Sequence, residues 1–293
     1  MPTASPSAIP ERAPARPTAR LIAPQRALAS CVAAYVARST LGSAGPAFNR
    51  YPATPLCGVC WLLDGPTAAV EEGVVSQAVV AQAGEAVFSG PQPQPWATWN
   101  AGPARFFVAL FYPDALHALA GIDLPACVGK LLPAGAVLGA PWQDLTAALM
   151  AAAGDAERAA LVDAFLAPRW QAARGRAGIE RGVLGDWARR LALQAATSGA
   201  GRGVRVAERR IKAWAGLPMR TLQRMGRAEQ ALLAARAGQA GGKISWSGVA
   251  ADTGYADQAH LTREARAMSG LSPTALARAI EHDDSYWMYR IWS

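Results

Sequence analysis

Histidine is scarce in this chain. Only three occur in 293 residues, and they are His117, His260 and His282. A metal-dependent enzyme needs several histidine and carboxylate side chains gathered at one site. Because the sequence offers no such cluster at ligand spacing, we expect no bound metal, no cofactor and no catalytic residues.

Cysteine is sparse as well. The chain has four, too few and too scattered for a disulfide framework at this length: Cys31, Cys57, Cys60 and Cys127. The pair Cys57-Gly-Val-Cys60 lies in an apolar run, LCGVCWLL, that predicts a buried strand. We interpret the pair as part of a core, with a redox or zinc site as the alternative. A reducing cytoplasm is the expected location.

Long apolar runs are missing too. No segment reaches the roughly 18 uninterrupted apolar residues of a membrane-spanning helix, so we predict no membrane partner. Residues 1–26 are rich in Pro, Ala and Arg and lack the apolar centre of a secretory signal. They predict a disordered tail, with an organellar transit peptide as the alternative reading.

Positive charge, by contrast, is concentrated in one part of the chain. Residues 202–278 contain 13 Lys and Arg against 5 Asp and Glu, a net +8, and the rest of the chain has no net charge. Such a segment is typical of a nucleic-acid-binding module, with an acidic lipid surface as the alternative. Arginine outnumbers lysine 11 to 2 in it, which favours recognition of phosphates and guanines.

The pattern along the chain is β-rich first and helical second. Residues 27–41 predict a short helix, and residues 50–111 contain short β-prone runs broken by Gly and Pro. From Pro113 onward the periodicity is helical. This order predicts an α+β chain with separate domains.

We therefore divide the chain into four parts. After the tail comes a β-rich, barrel-like domain with flanking helices at residues 27–180. An all-α domain follows at residues 183–281. Residues 282–293 end in YWMYRIWS, an aromatic segment that we expect to dock on a domain or a partner.

The all-α part contains an internal repeat. At a constant offset of 54 residues, without gaps, seven pairs match: Ala196 and Ala250, Arg209 and Arg263, Lys212 and Arg266, Gly216 and Gly270, Leu217 and Leu271, Leu222 and Leu276, Arg224 and Arg278. Each copy can be read as helix, tight turn and helix. In the second copy Gly254 suits the turn, Asp257 suits an N-cap, and Ser272-Pro273 suits the start of the next helix.

These residues carry a family resemblance. The pattern A-x3-GY-x-DQ-x-HL-x-R-x3-R-x3-G-x-SP, from Ala250 to Pro273, resembles the second helix-turn-helix of the AraC/XylS family of bacterial transcription regulators. The first copy, from Gly203 to Arg227, is similar to that family's first unit, although Gly203, Ala200 and Ala207 depart from its pattern. The resemblance covers roughly residues 187–280 and implies a tandem helix-turn-helix domain that binds double-stranded DNA.

The resemblance also implies partners. The two recognition helices, at about 203–214 and 258–269, would read successive major-groove segments, held apart by a helix over residues 219–236. For the β-rich domain at residues 27–180, the resemblance implies a cupin-like fold that senses a small-molecule effector or forms a homodimer. RNA polymerase is a further partner if the protein is an activator. The competing class is a β-barrel enzyme or small-molecule-binding protein for which DNA contact is incidental.

Residue roles follow from helix position. We assign base reading to six side chains, Arg205, Glu208, Arg209, Gln258, Thr262 and Arg263. We assign phosphate contacts to four, Arg210, Lys212, Arg220 and Arg266. For each, a solvated surface charge is the alternative. His260 and Arg227 are assigned to structure. An effector pocket in the β-rich domain would use five aromatics, Trp61, Trp96, Trp99, Phe106 and Tyr112.

Overall fold

The structure is a computed structural model that describes residues 16–43, 45–71, 73–173, 184–198, 203–239 and 244–292. Its N-terminal part is β-rich and its C-terminal part is helical. Ten strands are described: β1 Thr18–Ile22, β2 Val32–Ser39, β3 Ala47–Tyr51, β4 Cys57–Asp64, β5 Thr67–Glu71, β6 Val74–Ala81, β7 Ala86–Ser89, β8 Trp96–Asn100, β9 Arg105–Phe111 and β10 Leu131–Pro133.

The strands form two open antiparallel sheets. The larger runs β1-β2-β9-β4-β7-β10, and the smaller runs β3-β8-β5-β6. The prediction of a β-rich N-terminal part is confirmed, but the prediction that it is barrel-like is wrong, because both sheets are open. Gly and Pro clusters mark where strands end, but they carry no information on whether the outer strands of a sheet meet.

The first strand corrects the prediction for the tail. Residues 1–15 lie outside the described part, but Thr18–Ile22 pairs with β2 in register from Thr18 opposite Ser39 to Ile22 opposite Tyr35. The predicted disordered tail through residue 26 is therefore too long. Backbone pairing along a sheet edge orders a segment whose side chains are mostly exposed.

The helix predicted over residues 27–41 is also wrong. A short 3-10 turn, Arg26–Leu28, lies between β1 and β2, and residues 32–39 form strand β2. Val32, Tyr35 and Val36 are buried, and β2 pairs with β1 on one side and β9 on the other. The alanines of this segment favoured a helix, but β-branched and aromatic side chains in the middle of a sheet override that preference.

Five helices lie between β9 and the C-terminal part of the chain, and members of this group pack against the larger sheet. The five are α1 Pro113–Ala120, α2 Leu124–Cys127, α3 Ala134–Leu138, α4 Ala140–Ala151 and α5 Asp155–Ala173. The indole of Trp61 on β4 donates to Thr146 Oγ1 on α4 at 2.9 Å, and the hydroxyl of Tyr35 on β2 donates to Asp163 on α5 at 2.7 Å. These bonds fix the helices against the larger sheet.

Seven helices are described in the C-terminal part. They are α6 Leu184–Thr197, α7 Val204–Ala215, α8 Met219–Gln239, α9 Trp246–Asp252, α10 Gln258–Ser269, α11 Pro273–His282 and α12 Trp287–Trp292. The main apolar cluster runs without interruption from the larger sheet through α4 and α5 into α6, α7 and α8. The two parts are therefore joined by a shared core. No described helix is long and apolar enough to cross a membrane.

Candidate nucleic-acid interface

The repeat seen in the sequence is present in the helices themselves. Helix α7, Val204–Ala215, and helix α10, Gln258–Ser269, begin and end 54 residues apart. Each ends at a left-handed glycine, Gly216 with φ of 75° and Gly270 with φ of 80°. The two copies thus form the same helix with the same C-terminal cap.

The second copy has the predicted turn and caps. Gly254 adopts a φ of 75°, which favours glycine. Asp257 accepts from the backbone N–H of His260 at 2.6 Å and so caps α10. Ser272 accepts from Ala275 N at 3.4 Å and caps α11. Short-range chemistry in the sequence determined all of these features.

Helix α10 has one buried face and one exposed face. Leu261 and Met268 are buried, whereas Gln258, Arg263 and Arg266 are exposed. Within the described ranges, no side-chain hydrogen bond or ion pair holds Arg263 or Arg266. The exposed face therefore presents an amide and two guanidinium groups to solvent, which are groups that read base edges and phosphates.

Thr262 is less available than the sequence suggested. Its hydroxyl donates to the Gln258 carbonyl at 2.8 Å, one turn earlier in α10, and the side chain is only half-exposed. The hydroxyl proton is therefore occupied within the helix. Only the oxygen lone pairs of Thr262 remain for a base.

Helix α7 presents a similar but weaker surface. Arg205, Glu208, Arg209 and Lys212 are exposed on it. Its N-cap, Gly203, makes no side-chain hydrogen bond, in contrast to Asp257 of the second copy. The predicted turn around Ala200 lies outside the described residues.

Arg210 has a local partner. Its Nη1 donates to the Ala195 carbonyl near the end of α6 at 3.0 Å, and the residue is half-buried. A carbonyl near a helix C-terminus is a favourable site for a cation. Arg210 therefore fastens α7 to α6, which makes it a weaker candidate for a phosphate contact than the exposed Lys212.

The inner side of α7 packs on the N-terminal part of the chain. Helix α7 contacts α1 and α2 as well as α6. At its end, an added Cβ on Gly216 would lie 3.2 Å from both the Leu124 carbonyl oxygen and a side-chain carbon of Pro91, and 3.1 Å from Val128. Glycine thus permits this close approach. Helices α6 and α7 are therefore held against the N-terminal, β-rich part of the chain.

Helix α8 connects the two units. Its 21 residues exceed the predicted 219–236 and give a length of about 31 Å. Arg220 is exposed near its start. Arg227 has a structural environment, as predicted, with its guanidinium 5.8 Å from the ring centre of Tyr255.

The aromatic C-terminal segment docks on the sheets. Trp287 is buried against Val36, Phe106 and Val108, and its indole donates to Asn49 Oδ1 on β3 at 2.9 Å. Arg38 on β2 forms an ion pair with Asp284, just before Trp287. The predicted docking therefore occurs, and the site is the N-terminal part of this same chain.

A cavity of about 660 Å³ lies between the sheets and the C-terminal helices. Of the five aromatics predicted for an effector pocket, Trp96 and Phe106 line it and Trp99 does not. Trp61 and Tyr112 lie in the main core instead. The sequence could not indicate the other wall, which comes from α8, α10, α11 and α12, because the partners of buried helix faces are set by tertiary packing.

Comparison with known proteins gives only distant similarity. The chain matches no protein-family profile and no curated protein sequence. A 1.65 Å structure of ToxT from Vibrio cholerae is 8% identical with a TM-score of 0.38, over 79% of this chain and 97% of that chain. ToxT with a bound unsaturated fatty acid, from Vibrio cholerae strain SCE256, is 9% identical with a TM-score of 0.38, over 79% and 94%. At this level of similarity, the functional conclusion depends on the residues of the chain itself.

Proposed function

We propose that the protein is a sequence-specific DNA-binding transcription regulator of the AraC type. The observation that carries the proposal is the pair α7 and α10, two helices with identical limits 54 residues apart, each with exposed arginines on its outer face. A solvated helix face does not require a repeated length, C-terminal glycine cap and basic register. Two recognition helices on one chain do require them.

The proposed contacts divide by position. Arg205, Glu208 and Arg209 on α7, with Gln258, Thr262 and Arg263 on α10, would face base edges in successive major-groove segments. Thr262 would act there only as an acceptor. Lys212, Arg220 and Arg266 would neutralise phosphates, with Arg210 in a secondary role.

The β-rich part would sense an effector or dimerise. Its cavity supports the first role, because a cavity of this size is typical of small-molecule sites. The same observation supports the alternative, a small-molecule-binding protein for which DNA contact is incidental. In the first case the protein acts in the cytoplasm as an activator or a repressor, and an activator would also contact RNA polymerase.

A gel-shift titration with genomic fragments over a salt series distinguishes the two. We expect one or a few fragments to be retained at salt concentrations where competitor DNA is released. Arg20→Ala, a change on exposed β1, is a matched loss of charge outside α7 and α10 and should leave retention unchanged. Release of all fragments at the same salt concentration would favour the alternative.

A further inference from the structure

The cavity is shared by the two functional parts of the molecule. One wall comes from both sheets and includes Tyr51, Trp96 and Val108. The opposite wall includes Leu261, Ala265 and Met268, which lie on the inner side of helix α10. A molecule in this cavity would therefore touch the sheets and the back of the second recognition helix together.

The wall is mainly apolar, and its two arginines already have partners. Arg236 donates to the carbonyls of Tyr289 and Arg290, both at 3.1 Å. Arg290 donates to the Ile280 carbonyl at 2.9 Å and to Asp284 at 2.7 Å. Neither arginine needs a ligand carboxylate to satisfy its buried donors.

An acidic group on the wall also disfavours an anion. Glu229 on α8 accepts from the backbone N–H of Leu184 at 2.6 Å and from the indole of Trp292 at 3.0 Å. Burial raises the pKa of Glu229, and nearby Asp186 raises it further. A ligand carboxylate beside Glu229 would lose its hydration for the same reason, and the ionised form of Glu229 would also repel it.

The rest of the wall supplies neutral hydrogen-bonding groups. Ser89, Gln92 and Thr54 lie among the apolar side chains and can bond a hydroxyl or a carbonyl. A site of this kind is matched by an apolar molecule with a neutral polar end.

We propose that the cavity binds a neutral, mainly apolar small molecule that links the sheets to helix α10. The inference rests on the proposed function, in which α10 reads DNA, and it gives the chemical class of the effector. A bound molecule would hold Leu261 and Met268 against the sheets and so limit the orientations open to α10. Ligand binding and DNA binding are then coupled, and each changes the affinity for the other by the same factor.

The test compares two probes that differ only at the polar end, 1-dodecanol and dodecanoate, with the full-length protein at neutral pH. Binding is followed by the fluorescence of the cavity tryptophans and by the unfolding temperature. We expect dodecanol to bind one to one and at least about tenfold more tightly than dodecanoate. Tighter binding of dodecanoate would overturn the neutral class, and no saturable binding of dodecanol would overturn the site.

Two matched substitutions locate the binding. Ala228 on α8 lines the cavity, whereas Ala237 on the same helix is exposed and does not. Ala228→Phe should weaken dodecanol binding about tenfold, and Ala237→Phe should leave it unchanged. Ala277→Phe on α11, also on the wall, repeats the test if Ala228→Phe does not fold. Equal binding to the cavity and control variants would place the ligand elsewhere.

Glu229→Gln tests the origin of the selectivity. It should bring the affinities for dodecanoate and dodecanol closer together, and an unchanged ratio would contradict the role given to Glu229.

Gel shifts without and with dodecanol then separate the proposed DNA-binding function from the proposed coupling between ligand and DNA. Absence of sequence-preferential DNA binding both without and with dodecanol refutes the regulator, whereas DNA binding that dodecanol does not alter refutes only the coupling.

Discussion

Arg224 on α8 and Glu264 on α10 form an ion pair in which one N–H of the guanidinium is shared between both carboxylate oxygens. The Nε of Arg224 lies 3.1 and 2.9 Å from the two carboxylate oxygens of Glu264, and both side chains are largely shielded. The pair fastens α10 to α8, the helix that connects the two repeats. Glu264 was not among the residues singled out from the sequence, because its role depends on a contact with Arg224 on another helix, 40 residues away in the chain.

The ion pair predicts energetic coupling. In a double-mutant cycle, Arg224→Ala and Glu264→Ala should show a coupling free energy of about 1 kcal/mol, measured by urea unfolding. A charge-assisted contact that is largely shielded from solvent contributes more than an exposed one. Strictly additive effects of the two substitutions would contradict the account.

The two N-caps predict opposite effects for matched changes. Asp257→Ala removes the cap of α10 and should lower the free energy of unfolding by about 1 kcal/mol. Gly203→Asp, at the same position of the first copy, should raise it by about 0.5 kcal/mol. Gly203 has an extended backbone, with φ of 172°, and open space around an added Cβ. Urea unfolding checks both, and a destabilising Gly203→Asp would be the contrary result.

Glu229 predicts a pH dependence of stability. Because burial raises its pKa in the folded state, the folded protein binds more protons than the unfolded chain in the window above the ordinary value. The free energy of unfolding should therefore fall as pH rises from about 4 towards neutrality. Glu229→Gln should show a smaller decline over this window. Parallel pH profiles for the two proteins would refute this.

The contact between Trp287 and Asn49 predicts that the C-terminal segment contributes to stability. Trp287→Phe keeps an aromatic ring but leaves Asn49 Oδ1 without the indole donor, which should cost about 1–3 kcal/mol in urea unfolding. Trp287→Ala also removes the buried ring and should cost about 3–5 kcal/mol. If the two variants lost the same amount, the packing of Trp287 would contribute nothing.

The turn between α9 and α10, and the caps of α10 and α11, were predictable from the sequence. Gly254, Asp257, Gly270 and Ser272 act within a few residues of their own position, so their spacing in the sequence determined the turn and caps. Strand β2 was not predictable in this way. Its alanine-rich sequence is compatible with a helix, and only pairing with β1 and β9 makes it a strand.

The cavity was predictable only in part. Trp96 and Phe106 were candidates because aromatics in strands are common in both cores and pockets. Whether a given aromatic residue lies in a core or lines a pocket depends on how distant elements pack. Trp61 faces α4 and lies in the core, whereas Met268, more than 200 residues away, lines the cavity.

The central claim is that α7 and α10 read DNA together, and selection from a pool of random duplexes tests it most directly. If both helices read DNA, the selected duplexes should share two blocks of preferred bases, with the block centres about 10 base pairs apart. On that site Arg263→Ala should cost about 1–3 kcal/mol and relax the preference at one position of one block, and Arg209→Ala should do so in the other. Lys212→Ala should weaken binding evenly across sequences and flatten the salt dependence. If Arg263→Ala and Arg209→Ala left both affinity and base preference unchanged at constant salt, the assignment of these helices to DNA recognition would be contradicted.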